Sequence, residues 1–276
     1  MSYTYKDLLS SEGIDFFAPI PLRETKIIYN RKLTQMGIDE NGSALIILIP
    51  YYVSGEEKNL SIYAVPRDYH LYFSYLGERL TATLSLDYPE YVFRSAADNA
   101  PINEVDAAVK AGLGMMGDNG LFISPILGSY LFIGGIYTDM PCSKFGIFDK
   151  VTDKTECIHC GACRRACPGD MDSKTTGCLS AITQKKGVLT KDEENLIIKT
   201  GSVWGCDICQ SVCPYNKNIA ETKIGFFREE RIPYLSRNII EEMSDSDFAA
   251  RAYSWRKRET VIRNIEIIDR KGEQNA

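Results

Sequence analysis

The stretch "CIHCGACRRACP", residues 157–168, places four cysteines in twelve residues with a proline directly after the last. The whole chain of 276 residues carries nine cysteines, many for a protein without an evident export signal. The opening "MSYTYKDLLSSEGIDFF" has no basic leader, twin arginine or apolar core, so a cytoplasmic setting is expected. In a reducing compartment disulfides are disfavoured, and metal ligation or redox chemistry becomes the leading reading of so many thiols. The longest apolar run, "ALIILIP" (44–50), is far too short to span a bilayer, so no membrane association is expected. Hydrophobic content of 44% and charged content of 25% fit a globular protein. A net charge of -5 gives no general pull toward nucleic acid, although a local basic patch remains compatible with it.

The spacing Cys157-x2-Cys160-x2-Cys163-x3-Cys167-Pro168 is that of the bacterial ferredoxin run. Three thiolates hold one iron–sulfur cube, and the fourth, past the turn, reaches a second. A complementary set follows: Cys178, then Cys206-x2-Cys209-x3-Cys213-Pro214. The same crossover assigns Cys157, Cys160, Cys163 and Cys213 to one [4Fe-4S] cluster, and Cys167, Cys178, Cys206 and Cys209 to the other. Zinc also uses paired cysteines, but this triple spacing and two C-x3-C-P endings suit two separate tetrahedral sites poorly. Cys142 is left over and reads as a small buried side chain, while His159 reads as a loop residue. Two neighbouring clusters make a short wire for single electrons, and a wire implies an acceptor.

The expected architecture is α+β. Residues 1–140 form a mixed α/β domain, 141–220 a ferredoxin-like double-cluster module, and 221–276 a helical segment. "SALIILIPYY" (43–52) reads as a buried strand, "RDYHLYFSYLGERLTATL" (67–84) as a helix with an aromatic face, and "YVFRS" (91–95) as a strand. "INEVDAAVKAG" (102–112) reads as a helix closed by Gly112. "LFISP" and "SYLFIGGIYTD" read as a pair of strands. The glycine-rich "GLGMMGDNG" (112–120) has neither dinucleotide nor phosphate-loop spacing and reads as a turn between core elements. "KDEENLIIKTGSVWG" looks helical before a turn. In the last segment Ser244 is a candidate N-cap, and Arg251, Arg256, Lys257, Arg258 and Arg263 are candidate phosphate contacts or a solvated helix face.

Several collinear stretches resemble the cobalamin-dependent epoxyqueuosine reductases of tRNA modification, which are related to the reductive dehalogenases. They are "RDYH" (67–70), "ADNAP" (97–101), residues 111–139, both cysteine motifs, "WGCDICQSVCPYNK" (204–217) and residues 244–268. The resemblance implies a nitroreductase-like cobalamin-binding domain, with base-off cobalamin between it and the cluster module. It also implies electrons passing from the clusters to cobalt. Asp98, in the D-x-x-P position before Pro101, is implied as the proton donor over the corrin. Phe122, Ile133 and the Cys206–Asp207 backbone are implied corrin contacts, and His70 is a candidate hydrogen-bonding residue. Asp98 also suits a turn, and His70 equally suits a half-buried structural histidine.

The chain departs from the family pattern at two positions. Asp118 stands where the family usually has lysine, and Val105 where a basic residue commonly follows the donor loop. The C-terminal helical repeats of larger members do not follow. The implied activity is reduction of an epoxide to an alkene in the wobble nucleotide of tRNA, with a low-potential electron donor and a monomer or weak dimer as the working form. The alternatives are a cobalamin and iron–sulfur reductase of another small molecule, or a ferredoxin-type electron carrier without cobalamin.

Overall fold

The computed structural model of the chain describes residues 4–171 and 177–274. They form two compact units assembled from interleaved segments. The first comprises Met1–Tyr51, His70–Cys160 and Tyr215–Ile224, and the second Tyr52–Tyr69, Gly161–Pro214 and Gly225–Ala276. The fold is α+β.

Four antiparallel strands organise the first unit in the order β1 (Phe17–Pro21), β2 (Ser43–Pro50), β6 (Leu131–Thr138), β3 (Phe93–Ala97). The apolar run predicted at 43–52 is β2, an interior strand buried on both faces because helices pack above and below the sheet. β1, "FAPIP", was not anticipated; its two prolines are tolerated because it is an edge strand. Helices α1 (Tyr5–Ser11) and α2 (Asn30–Gln35) flank these strands in sequence.

The helix predicted at 67–84 is α3 (Tyr69–Asp87). A Cβ on Gly77 would collide with Ser95 of β3, and one on Gly134 of β6 with the Phe73 ring, so glycine permits the helix to lie close on the sheet. The opposite face is filled by α4 (Glu104–Lys110), whose Ala107 and Ala108 join Ile46, Leu48, Phe122 and Tyr137 in one core. α4 is capped by the Asn103 side chain, which accepts from Asp106 N–H at 3.0 Å.

The expected pairing of "LFISP" with "SYLFIGGIYTD" is corrected. β5 (Phe122–Ile123) pairs with β4 (Met115–Met116), while β6 lies between β2 and β3. The long β6 pairs along its whole length with β2 and over its second half with β3, and the two-residue β5 pairs across the short glycine turn nearest to it.

Short helices α5 (Ala162–Ala166), α6 (Leu179–Thr183), α7 (Lys191–Thr200) and α8 (Ile208–Ser211) shape the second unit. So do α9 (Gly225–Arg228), α10 (Arg237–Glu242), α11 (Asp245–Ala249) and α12 (Lys257–Gln274). Trp204, fully buried, and Tyr253 centre one core with Leu60, Leu235, Phe248 and Val261. Ser244 caps α11 as predicted, accepting from Asp247 N–H at 3.1 Å. α12 is tied inward by Asn264, whose amide donates to the carbonyls of Thr183 at 2.7 Å and Val203 at 2.9 Å. No described helix is long and apolar enough to cross a membrane.

Candidate redox and acid site

The glycine-rich turn at 112–120 supports the first cysteines. Gly112, at φ 74°, accepts at its carbonyl from Val151 and Thr152. A Cβ there would press on the Lys150 side chain at 2.6 Å. Met116 of β4 then takes up the incoming chain, its N–H donating to Thr155 O at 2.9 Å and its carbonyl accepting from Cys157 N–H at 3.0 Å. The turn therefore serves as a rail for the ligand loop. Asp118, the residue that departs from the family lysine, bonds the Nδ1 of His159 at 2.7 Å, and Glu156 lies 3.4 Å from Nε2. His159, at φ 49°, is thus a clasp on the loop between Cys157 and Cys160, a role its sequence position did not reveal. The hydrogen bond and charge of Asp118 raise its pKa above the ordinary histidine value.

All four thiols expected to hold one cluster, Cys167, Cys178, Cys206 and Cys209, belong to the second unit. The Cys206 thiol is pushed up chiefly by burial; the Ile208 N–H bond opposes this, and the charges of Asp207, Cys178 and Cys167 add to it. Cys209 follows in α8. Four cysteines gathered in one unit at this spacing fit the thiolate donor set of an iron–sulfur cluster. Gly205 makes the approach to Cys206 possible. It adopts φ 71°, and a Cβ there would meet Ser61 Cβ at 2.6 Å. The carboxylate of Asp207 is committed to the fold: it accepts from Ser61 Oγ and from Ile62 N–H at 2.8 Å, with Lys58 Nζ at 3.5 Å. Cys142 is partly buried, and burial raises its thiol pKa.

Asp98 lies just past the end of β3 in a left-handed conformation, φ 62°, which a short polar side chain tolerates better than most. Its carboxylate is 72% exposed and stands 3.8 Å from Nε2 of His70, near the start of α3. The carboxyl that is shielded from solvent here is a different one. Glu104, the first residue of α4, has Oε1 out of solvent with no hydrogen-bond partner among the described residues. The backbone N–H of Asp98 acts on its charge. Burial first, and the Asp98 charge second, push Glu104 up to about 8, against smaller opposing pulls from that N–H, His70 and Lys32. The hydroxyl of Tyr137, fully buried, is also unpaired among the described residues, and burial and Glu104 hold its pKa far above the ordinary tyrosine value. Lys32 Nζ donates to the carbonyl of Asn99, fixing the loop after Asp98. Exposed Ile28 and Tyr29 are fastened beside this loop by N–H bonds to Pro101 O at 2.8 and 3.0 Å, and exposed Leu71 follows His70. The site is a carboxylate and an imidazole with an apolar rim. Phe122 is 4% exposed, inside the core, and Ile133 packs partly buried against the same cluster.

Of the basic residues proposed for phosphate, three are structural. Arg251 is buried and bonds Glu230 O at 2.6 Å. Arg258 bonds the carbonyls of Ile240 and Met243 at the end of α10. Arg263 bonds Lys185 O at 2.7 Å and Gly187 O at 2.6 Å. Arg256 instead stacks 3.7 Å over Trp255, which is 57% exposed. Both line an open cavity of about 510 Å³ with Cys178, Lys185 and Glu193. Neither the stacked pair nor the cavity was legible in a sequence where all five cations look alike.

Residues 156–216 match the family described as the 4Fe-4S double cluster binding domain. The chain is 34% identical over 179 residues to the epoxyqueuosine reductase of Pseudomonas aeruginosa, a match covering 63% of this chain and 48% of that protein, about half its length. It is 30% identical over 235 residues to that of Cyclobacterium marinum, covering 80% of this chain and 73% of the relative. Its fold matches, at TM-score 0.75 and 20% identity over 96% of this chain and 79% of the other, an epoxyqueuosine reductase crystallised with an epoxyqueuosine-modified tRNA-Tyr stem loop. The paired cysteine motifs, the double-cluster match and the relatives aligned along most of the sequence together establish that this chain belongs to the epoxyqueuosine reductase family and carries two [4Fe-4S] clusters.

Proposed function

We propose that this chain reduces the epoxide of epoxyqueuosine in tRNA to the alkene, with Asp98 as the acid at the reacting oxygen. The balance is one epoxide, two electrons and two protons giving one alkene and one water. The observation that carries the reading is the Asp98 carboxylate, presented on a constrained backbone beside His70 and rimmed by Ile28, Tyr29 and Leu71, in a member of this family. The apolar rim fits the flat face of a corrin, so cobalamin is the proposed acceptor of the cluster electrons. When bound, it supplies a metal centre that stores electrons singly and delivers them as a pair. The proposed ligand sets are Cys157, Cys160, Cys163 and Cys213 for one cluster, and Cys167, Cys178, Cys206 and Cys209 for the other. Ile133 is a proposed corrin contact, with Phe122 backing it from the core.

Asp98 donates to the oxygen as the carbon–oxygen bond breaks, and His70 orients its carboxylate. Rigid backbone at φ 62° keeps that donor from drifting. On the other unit, Trp255 offers a stacking face and Arg256 a cation, a combination suited to an unpaired base and its phosphate. A one-electron carrier of low potential is the proposed donor.

Anaerobic incubation of the reconstituted protein with epoxyqueuosine-containing tRNA, cobalamin and a strong reductant tests the reading. Queuosine-containing tRNA is the expected product. Full reduction of the clusters with no change in the nucleoside would overturn it.

A further inference from the structure

Asp207 sits between two cysteines of the second unit, directly after Cys206 and two residues before Cys209. It occupies the N-cap position of α8, yet its side chain makes no capping bond to that helix. The carboxylate turns instead to a segment from far upstream. It accepts from Ser61 Oγ and from Ile62 N–H at 2.8 Å, and Lys58 Nζ stands 3.5 Å away. The backbone repeats the attachment: Val203 N–H donates to Asn59 O at 2.6 Å and Ser61 N–H to Trp204 O at 2.7 Å, with Leu60 and Trp204 in a parallel bridge. Residues 58–62 are therefore a splint laid along the chain that carries Cys206, and Asp207 is its side-chain fastening. That side chain is only 9% exposed. Keeping a charge there costs desolvation. Asparagine, accepting from Ile62 N–H and donating to Ser61 Oγ, would hold the splint without that cost. A clamp alone does not account for the charge.

We propose that Asp207 is a positioning residue with an electrostatic effect: it fixes Cys206 and Cys209 for their [4Fe-4S] cluster, and its carboxylate lowers the reduction potential of that cluster. This rests on the ligand set proposed above for Cys167, Cys178, Cys206 and Cys209. A cluster's potential depends on the net charge, hydrogen bonds and solvent access around it. A fixed negative charge in a nearly closed place opposes the arrival of an electron, because little water is there to screen it. The Ser61 hydroxyl and the Ile62 N–H are neutral donors, so they orient the carboxylate without cancelling its charge. Among the described residues Lys58 is the cation paired with it, and at 29% side-chain exposure it is partly screened by solvent. A cluster held low in this way is harder to reduce and, once reduced, a stronger reductant, which suits the onward passage of electrons.

Asp207→Asn keeps the shape of the clamp and removes its charge. An anaerobic redox titration of the cluster-loaded protein, followed by electron paramagnetic resonance, resolves the reduction of each cluster without any substrate. The expected result is unchanged iron content and a rise in one of the two midpoints, by about tenfold in the reduction equilibrium, which is about 59 mV for one electron. Lys58→Gln removes the opposing charge and should move the same midpoint the other way, by about two- to fivefold. A merely structural clamp would not give shifts of opposite sign. Midpoints in Asp207→Asn equal to those of the unsubstituted protein would overturn the proposal, and so would shifts of the same sign in the two variants.

Asp207→Ala breaks the clamp as well as removing the charge, and it should lose one of the two clusters and with it half of the bound iron. Full iron in that variant overturns the positioning role. Cys206→Ser separates the proposal from the ligand assignment beneath it. Retention of both clusters in Cys206→Ser would overturn the ligand set and the proposal together. Loss of one cluster there, with unmoved midpoints in Asp207→Asn, would overturn the proposal alone.

Discussion

Asp98 and Glu104 are two carboxyls in opposite settings. The first is largely exposed, and the second has Oε1 out of solvent. Asp98→Asn keeps the side chain that best tolerates the left-handed backbone and removes the acid. Turnover should fall by about 10²- to 10⁴-fold, while iron content and circular dichroism stay unchanged. Glu104 also bears on stability. Its folded pKa is about 8 against a reference of 4.5, so between those values the unfolded chain has released a proton that the folded chain retains. Stability contributed by this group is thus intact below about 4.5, declines as pH rises toward 8, and stays low above it. Glu104→Gln should be nearly indistinguishable from the parent in denaturant titrations at pH 4.5 and more stable at pH 8.5, by roughly 5 kcal/mol at most. Asp98 was readable because it lies in a recognisable motif. Glu104 was not: in "INEVDAAVKAG" it looks like any first-turn glutamate. Only the sheet, which brings Tyr137 behind it and Asp98 against it, makes it unusual.

At the scale of elements, local signals carried over where they depended on neighbours in sequence. The all-apolar β2, the aromatic α3, the cap at Ser244 and the glycine after α7 are each determined within a few residues. Ser244→Ala should cost about 1 kcal/mol, read as a lowered denaturation midpoint with unchanged slope. Pairing was less legible, because a strand's partner depends on length and on what else competes for it; β5 joined β4 for that reason. Close helix–sheet approach was invisible too. Gly134→Ala should push on the Phe73 ring and destabilise the first unit by about 1–3 kcal/mol, measurable as a lower thermal midpoint, whereas Gly187→Ala, with open space around it but φ 79°, should report only the backbone strain of a left-handed residue.

For the whole molecule, composition pointed to metal chemistry and the cysteine spacing to clusters, both of which follow from chain-local geometry. The interleaving of the two units did not, since segment 52–69 carries no mark of joining the later half. There it is secured by contacts made far along the chain, such as Ser61 N–H to Trp204 O at 2.7 Å. The acidic total charge also concealed where nucleic acid would bind, because most of the apparent basic cluster is spent on carbonyls. tRNA affinity should fall with added salt, but with a shallower slope than five free cations would give, because most of them are spent on carbonyls. Trp255→Ala should weaken stem-loop binding by about 1–3 kcal/mol in fluorescence titrations without altering iron content.

The prolines of β1 have a further consequence. Pro19 and Pro21 lie two apart, so they fall on the side of the strand turned away from β2, and neither has a hydrogen to offer. A foreign strand arriving at that margin finds acceptors but almost no donors. Stacking of copies into ribbons, fibrils or strand-swapped pairs therefore lacks a template there, and a chain so rich in apolar β-sequence is guarded at one border by two imino acids.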